Sequence, residues 1–338
     1  MPTIRDVAKR AQVAPITVSR VVNHTGYVGE ETRKRVEAAI AEMGYVPNRL
    51  ARSLRSKQTH TLGLIITDIT NPFWTTVARG AEDAARQQGY NLILCNSDES
   101  LEKQADYVRV LLQKQVDGFL LVPAHSAPES VLSIQQQGVP VVVLDRTVSA
   151  PVSTVRCDSE GGAYALTQRL IELGHREIAV LSGSREVSTA TERVAGYRRA
   201  LEHAGIEVQE DLILYGAFTQ TAGASMTLRV LDRKPRPTAI FAANNFIAIG
   251  VLKTLREMDI RVPEALSVVA FDDLPLGLVI DPFLTVAAQP AYEMGQRATE
   301  LLLASLKRDA AGARPTEVLL PVPLIVRGST SAPPVCQM

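Results

Sequence analysis

The sequence predicts an all-α helix-turn-helix segment at the N-terminus, followed by a two-lobed α/β domain with two doubly wound parallel sheets. Three observations lead to this prediction. Two short helical patterns near the N-terminus are separated by only three residues. Basic residues concentrate in the same part of the chain. From about residue 62 onward, short apolar runs alternate with longer helical patterns in two successive series, as in βαβ units.

The first helix is expected after Thr3, which has the spacing of a capping box with Asp6, and its apolar face takes positions 4, 7, 8 and 11. Gln12-Val13-Ala14 is long enough only for a turn. Pro15 suits the start of a second helix, expected to reach Asn23, because its missing N–H would be unpaired there anyway. The second helix of a helix-turn-helix enters the major groove of DNA, so the expected reading residues are Ile16, Thr17 and Arg20.

A third helix is expected to begin at Gly29 and to end at Gly44, closing a three-helix core. The charge distribution supports a nucleic-acid module here. Residues 1–60 contain 11 Lys/Arg and 5 Asp/Glu, whereas the whole chain contains 36 of each. A neutral chain with its basic excess at one end suggests a nucleic-acid-binding segment attached to a domain of another kind.

The α/β region shows two similar series of apolar runs, each run followed by a helical stretch. Two such halves in tandem predict two lobes with a ligand cleft between them, at the carboxyl ends of the strands. The expected strands are Leu62 to Thr67, Asn91 to Cys95, Phe119 to Val122 and Val141 to Leu144 in the first series, and Ile178 to Leu181, Ala239 to Ala242 and Leu266 to Phe271 in the second.

Polar and aromatic side chains stand at or near the ends of these strands, where a cleft ligand would meet them. Carboxylate, guanidinium and amide groups with aromatic rings suit a sugar, because each buried hydroxyl needs a partner while the C–H face of the ring packs on an aromatic. In this interpretation each arginine donates two neighbouring hydrogen bonds to the sugar, and the sugar ring lies between Phe218 and either Phe73 or Trp74. The predicted effector contacts are Asn71, Phe73, Trp74, Asp145, Arg146, Arg193, Phe218, Asn245, Asp272 and Gln289. Asp158 and Asp273 are left outside this set.

The composition, with 46% hydrophobic and 21% charged residues, is ordinary for a globular protein. No apolar run is long enough to span a bilayer and the N-terminus resembles no signal peptide, so we expect a cytoplasmic protein. Cys95 and Cys157 are interpreted as small buried hydrophobic residues. The three cysteines follow no metal-binding spacing, and neither a metal nor a cofactor is expected.

Taken together, the N-terminal motifs resemble the headpiece of the LacI/GalR family of bacterial transcription regulators, and the similarity extends to about residue 330. The resemblance implies a homodimer that reads a pseudo-palindromic operator in double-stranded DNA, with Pro47 to Leu54 as a hinge helix. Leu54 matches the family's minor-groove wedge. One departure is Ala14, where the family usually has a serine whose hydroxyl caps the second helix; losing such a cap costs about 1 kcal/mol. The expected DNA contacts are Thr3, Ile16, Thr17, Arg20, Asn23, Asn48, Leu54 and Arg55.

The same resemblance implies a periplasmic-binding-protein-like fold whose chain crosses between the lobes three times. We therefore expect a headpiece at residues 1–46, a hinge helix and linker at 47–60, an effector-binding and dimerisation domain at 61–330 and a disordered tail at 331–338. The first lobe is expected to take about 61–160 and 290–322, and the second about 161–289 and 323–330.

The cleft residues are similar to those of the ribose-binding members of this superfamily, with Trp74 in place of an aromatic residue that is often Phe. This similarity implies a repressor whose operator affinity changes with ribose or a related pentose. A hexose, a sugar acid or a purine remains an alternative effector. An enzyme acting on sugars is the remote alternative, because the sequence has no dinucleotide-binding GxGxxG after the first strand, no P-loop, no GxSxG and no HExxH. Turnover of the ligand would distinguish it from a regulator.

Overall fold

The computed structural model describes residues 2–45, 58–274, 283–307 and 314–334. The chain divides into two units, Met1–Thr59 and His60–Met338, and each is described by itself. The expected hinge helix lies outside the described residues, together with Asn48, Leu54 and Arg55.

The N-terminal unit is the predicted three-helix headpiece. Thr3 and Asp6 form the expected capping box, in which the Asp6 carboxylate accepts from Thr3 N at 2.8 Å and the Thr3 hydroxyl accepts from Asp6 N at 3.4 Å. Ala14 precedes the second helix without a side-chain cap, and Gly44 ends the third helix in the left-handed region with φ 56°. The helices are α1 (Ile4–Ala11), α2 (Pro15–Asn23) and α3 (Glu30–Met43).

One valine from each helix forms the centre of the headpiece core. Val7, Val18 and Val36 are fully buried and pack together with smaller apolar residues. This packing stabilises the angle between α1 and α2, since helices this short are marginal by themselves.

The larger unit is built on two sheets. Their strands are, in chain order, β1 (Thr61–Ile66), β2 (Asn91–Asn96), β3 (Gly118–Leu121), β4 (Val141–Leu144), β5 (Ser153–Cys157), β6 (Ile178–Ser182), β7 (Ile213–Tyr215), β8 (Ala239–Ala242), β9 (Ser267–Phe271), β10 (Thr285–Ala287), β11 (Glu317–Leu320) and β12 (Leu324–Ile325). The first sheet has the order β2-β1-β3-β4-β5-β11 and the second the order β7-β6-β8-β9-β10-β12.

The two sheets repeat one topology, because adding five to each of the first five strand numbers of the first sheet gives the second. All described strand pairs are parallel except β10 with β12, where Val286 pairs with Ile325 in the antiparallel sense. The chain passes between the sheets three times, after β5, after β10 and after β11. The predicted fold class, a helical headpiece with a two-lobed, parallel-dominated α/β domain, is confirmed.

Helices cover both faces of each sheet. They are, in chain order, α4 (Pro72–Gln87), α5 (Leu101–Gln113), α6 (Glu129–Gln136), α7 (Ser159–Glu172), α8 (Ser188–His203), α9 (Gln220–Leu231), α10 (Asn245–Glu257) and α11 (Ala291–Lys307). In the first sheet α4 and α11 bury one face and α5 and α6 the other, while in the second α9 and α10 bury one face and α7 and α8 the other. The helix α11 lies near the C-terminal end of the chain but packs against α4 on the first sheet.

Five strands, β5, β7, β10, β11 and β12, are absent from the sequence prediction. Strands β7, β10 and β12 have only two or three residues, too few for an apolar run to indicate a strand, whereas β5 and β11 contain charged or exposed residues that interrupt their apolar pattern. Ser331 was predicted to belong to a disordered tail, but it is held by hydrogen bonds. Its backbone N donates to Ser267 Oγ at 3.1 Å and its carbonyl oxygen lies 2.9 Å from His175 Nε2. The segment therefore packs beside the amino end of β9, which begins at Ser267.

Candidate functional site

The headpiece presents its recognition helix α2 with the residues expected to read DNA at the surface. Val18 and Val21 are buried in the core, which turns the opposite side of the helix outward. Ile16 is 56% exposed, Thr17 is half-buried and Arg20 is exposed. A guanidinium beside apolar and hydroxyl groups can contact guanine edges and thymine methyl groups in a major groove.

Two other predicted DNA contacts have bonds within the headpiece. The Thr3 hydroxyl is engaged in the capping box, and Asn23 Nδ2 donates to Ser19 O at 2.8 Å. Thr3 is exposed and Asn23 half-buried, and both remain predicted contacts. Asn48, Leu54 and Arg55 remain predictions outside the described residues.

The larger unit contains a cleft of about 450 Å³ at the carboxyl ends of both sheets. Parallel strands of the two sheets end at this cleft, so residues distant in sequence meet there. Nine of the ten predicted effector contacts line it: Asn71, Phe73, Trp74, Asp145, Arg146, Arg193, Phe218, Asp272 and Gln289. Asp158 caps α7 instead, and Asp273 pairs with Arg327.

Two aspartates occupy equivalent positions in the repeated topology. Asp145 follows β4 and Asp272 follows β9, and both lie in the left-handed backbone region, with φ 63° and 67°. The backbone N of Asp145 donates to Val155 O and that of Asp272 to Ala287 O, each at 2.9 Å. Non-glycine residues rarely adopt this conformation, and residues held in it cluster at ligand sites. The conformation places one buried carboxylate from each lobe at the cleft.

Burial raises the pKa of both carboxyl groups. For Asp272 the pKa rises to about 6, although Arg193 and a hydrogen bond from Gln289 Nε2 at 2.5 Å oppose the shift. For Asp145 burial also raises the pKa, against the attraction of Arg193 and Arg146. A carboxylate with little water around it gains more from a hydrogen-bond donor on a ligand than one in solution does.

Arg193 from α8 is close enough to both carboxylates for its charge to lower the pKa of each. Its Nη1 donates to Ala243 O at 2.7 Å, and its guanidinium carbon lies 3.8 Å from the ring centroid of Phe271, in a cation–π contact. These two contacts fix the plane of the guanidinium. Its buried Nε has no hydrogen-bond partner among the described residues.

Both arginines were predicted to offer a pair of N–H donors to a ligand, but Arg146 uses its pair within the protein. Its Nη1 and Nη2 donate to the two carboxylate oxygens of Glu99, each at 2.6 Å. Nη1 also donates to Pro123 O at 2.6 Å and Ala124 O at 2.9 Å. Burial lowers the pKa of this guanidinium, but Glu99 outweighs burial, so the pKa lies above its usual value. The fork is therefore occupied within the protein.

Three aromatic rings line the cleft. Phe73 and Trp74 pack edge to face, with ring centroids 4.7 Å apart and planes at 73°. Trp74 is also buried in the core beside α11, whereas Phe73 is half-buried. Phe218 lies against Gly183, where a methyl group would be 2.3 Å from the ring. The absence of a side chain at Gly183 gives Phe218 its place at the cleft wall.

Asn245 is the one predicted effector contact that does not line the cleft. It is buried and forms reciprocal amide hydrogen bonds with Asn71 of the first lobe, at 2.9 and 3.0 Å. The preceding residue, Asn244, lines the cleft and caps α10 by accepting from Ile247 N. Asn244 lines the cleft in place of the predicted Asn245 because the start of α10 turns the side chain of Asn245 toward Asn71.

Five buried polar atoms around the cleft have no hydrogen-bond partner among the described residues. A buried polar atom without a partner costs about 1–3 kcal/mol, so their concentration at one place indicates a site that a polar ligand completes. The set contains both donors and acceptors, as a polyhydroxyl ligand requires. The atoms are Thr67 Oγ1, Asp145 Oδ1, Arg146 Nε, Arg193 Nε and Gln289 Oε1.

Thr67, Glu99 and Thr189 line the cleft but are absent from the predicted contacts. Thr67 follows β1 directly, so its position at the carboxyl end of a strand could have revealed it, and the end of β8 pointed to Asn244 as well as Asn245. Glu99 is less visible, because it belongs to a loop after the edge strand β2, and Thr189 lies at the start of α8.

No group of three His, Cys, Asp or Glu side chains within the described ranges could hold a metal ion. Cys157 is buried in the core as predicted, while Cys95 is only half-buried. None of the described helices combines the length and apolar character needed to cross a membrane.

Comparisons with known proteins agree with both units. Residues 3–48 match the family model of bacterial regulatory proteins of the lacI family. Residues 59–327 match the model of periplasmic binding proteins and the sugar binding domain of the LacI family.

Curated relatives include the HTH-type transcriptional repressor PurR of Vibrio atlanticus (strain LGP32), 38% identical over 91% of this chain and 92% of that protein. The ribose operon repressor of Halalkalibacterium halodurans is 36% identical over 98% of this chain and 97% of that protein.

Solved structures extend the similarity to three dimensions. The lac repressor dimer bound to operator and the anti-inducer ONPF superimposes with a TM-score of 0.85 at 29% identity, over 98% of this chain and 99% of that one. A LacI family regulator from Enterococcus faecium with bound ribose gives 0.71 at 32% identity, over 80% and 99%. The helix-turn-helix, the two-lobed domain and these matches show that the chain belongs to the LacI family of bacterial regulatory proteins.

Proposed function

We propose that this LacI-family repressor binds ribose or a related aldopentose in the cleft of its larger unit, and that the sugar changes its affinity for operator DNA. The observation that carries the proposal is the set of five unpartnered buried polar atoms around the cleft, with a carboxylate from each lobe. Sugar hydroxyls both donate and accept, so a small ring can satisfy donors and acceptors that approach from several sides.

A purine is the competing effector, and the names of the relatives include both a purine repressor and a ribose operon repressor. The cleft favours the sugar. A purine presents fixed donors and acceptors in one plane, whereas Asp145 and Asp272 reach the cleft from separate lobes. Phe73 and Phe218 supply apolar surface that suits the C–H face of a sugar ring.

Sugar binding and DNA binding are coupled if the sugar favours one arrangement of the two lobes. A sugar that favours a different arrangement from the operator weakens DNA binding, and one that favours the same arrangement strengthens it. Such coupling is typically worth about 1–3 kcal/mol and is reciprocal, so operator DNA must change sugar affinity by the factor by which sugar changes operator affinity. We propose a homodimer that binds its operator, as the operator-bound dimer of the lac repressor does. The operator is proposed to be pseudo-palindromic and the protein cytoplasmic.

The test uses Trp74, the only tryptophan in the chain, which lines the cleft. Titration with ribose should produce a saturable change in its emission, and adding a specific operator duplex should shift the ribose affinity. Arabinose, glucose, ribonate, hypoxanthine and guanine are the comparison ligands. Saturable binding of a purine alone, verified by calorimetry, would contradict the proposal, as would a flat response to every sugar. Recovery of unchanged ribose after long incubation would distinguish a regulator from an enzyme.

Ribose affinity should fall in acid. Burial raises the pKa of Asp272 to about 6, and the proposed bonds from sugar hydroxyls need its ionised form. Affinity should therefore be constant above about pH 7 and weaken roughly tenfold by one unit below the pKa. Calorimetric titrations from pH 7.5 to pH 5 measure this, and an affinity that rises in acid would contradict the role of the ionised carboxylate.

Thr17→Ala should relax base preference more than it lowers overall DNA affinity. Thr17 is half-buried in the first turn of α2, where its methyl and hydroxyl can contact a base edge. We expect discrimination at one operator position to fall by about 1–3 kcal/mol. Band-shift assays on single-base operator variants measure it. Thr32→Ala on α3 is the matched control and should leave base preference unchanged. An equal loss on every operator variant would assign Thr17 to backbone contacts.

A further inference from the structure

The loop after β2 has an unusual backbone. Asp98 and Glu99 both lie in the left-handed region, with φ 50° and 56°, although neither is glycine. Residues in such conformations persist only where the surroundings determine them. Here Asn96 Nδ2 donates to Asp98 Oδ1 at 2.6 Å and Lys103 Nζ donates to Asp98 Oδ2 at 2.5 Å. Ser97 N also donates to Ile66 O at 2.9 Å, tying the loop to β1.

The consequence of this conformation is the position of the Glu99 carboxylate. It meets the buried Arg146 guanidinium in a two-point ion pair with both distances at 2.6 Å. Arg146 is 3% exposed and Glu99 36% exposed, so the carboxylate approaches from the rim of the cleft. With the two carbonyl bonds added, only Nε of Arg146 has no hydrogen-bond partner among the described residues, and it lies 3.9 Å from Asp145 Oδ2.

An arginine fork without a partner is a strong receptor for a carboxylate or a phosphate, because two parallel charge-assisted bonds form at once. The lining of the cleft is net negative, because its charged residues are Asp68, Asp98, Glu99, Asp145 and Asp272 against Arg146 and Arg193. Within this lining Glu99 occupies the guanidinium fork of Arg146, which is therefore not available to an anionic ligand. A neutral sugar needs neither the fork nor a positive potential.

We propose that Glu99 is a positioning residue that holds the Arg146 fork away from the ligand and so restricts the cleft to neutral sugars, excluding their acids and phosphates. This inference rests on the proposed sugar-binding function and names the charge class of its ligand. A purely structural role for Glu99 would predict that its loss weakens every ligand alike.

The experiment compares ribose with ribonate, which carries a carboxylate, by calorimetry on the full-length chain and its Glu99→Gln variant. The wild type should prefer ribose, and the ratio of the two dissociation constants should shift at least about tenfold toward ribonate in the variant. Glu102→Gln is the matched control, because this exposed residue in the first turn of α5 gives the same change in net charge. It should leave the ratio unchanged.

An unchanged ratio in Glu99→Gln, or an equal shift in Glu102→Gln, would overturn the inference. Circular dichroism monitors folding of the variants. If Glu99→Gln does not fold, Glu99→Asp replaces it: its shorter side chain cannot keep both bonds to Arg146, so a smaller shift toward ribonate is expected, and no shift would again overturn the inference. A wild type that binds neither ribose nor ribonate would contradict the proposed function itself, which separates the two failures.

Discussion

Asp272→Asn should weaken ribose binding by about 100-fold or more while leaving the protein at least as stable as the wild type. Hydrogen bonds to a charged partner are worth about 1.5–3 kcal/mol each, and the proposed site uses this carboxylate for adjacent hydroxyls. Stability should move the other way. Burial raises the pKa of Asp272 to about 6 from 3.8, so the fold disfavours the ionised form above that pH, and a neutral amide removes this cost.

The measurements are ribose affinity by calorimetry and the melting temperature, both at pH 7.5. Asp273→Asn is the matched control, because Asp273 pairs with Arg327 at 2.6 Å and does not line the cleft. It should lose stability and keep its ribose affinity. Normal ribose binding by Asp272→Asn would remove this carboxylate from the site, and a large drop in its melting temperature would show that the buried charge stabilises the fold.

Gly295→Ala should destabilise the larger unit by more than about 3 kcal/mol, above the usual range for overpacking. In most helix interiors the same change stabilises by up to about 1 kcal/mol. Here α4 and α11 cross so closely that a methyl group on Gly295 would lie 1.9 Å from Val77 O and 2.8 Å from Ala81 N. Gly80 faces Tyr292 O in the same way, at 2.0 Å. These neighbours are backbone atoms, so a side-chain rotation cannot relieve the clash.

Urea unfolding followed by circular dichroism measures this effect. Gly328→Ala provides the control, because Gly328 has no atom within 4 Å of the added methyl group. We expect that control to stay within about 0.5 kcal/mol of the wild type. A Gly295→Ala variant as stable as the control would mean that α4 and α11 can separate at little cost.

The sequence by itself determined the elements whose signals are local. Thr3 with Asp6, Pro15 and Gly44 mark helix ends because their side chains or backbone angles act on the nearest turn. Buried strands such as β4 are visible as apolar runs. Many of the cleft residues were also predictable, because parallel strands must place their carboxyl ends at one edge, and nine of the ten predicted effector contacts line the cleft.

Only the tertiary structure decided which partner each side chain takes. Asn245 bonds to Asn71, 174 residues away, and Arg146 to Glu99, 47 residues away. The short strands β10, β11 and β12 exist because neighbouring strands supply their hydrogen bonds. Such contacts depend on packing between elements distant along the chain, and a local pattern contains no information about them. Residue type therefore predicted the composition of the cleft, while packing determined which of its donors and acceptors remain available to a ligand.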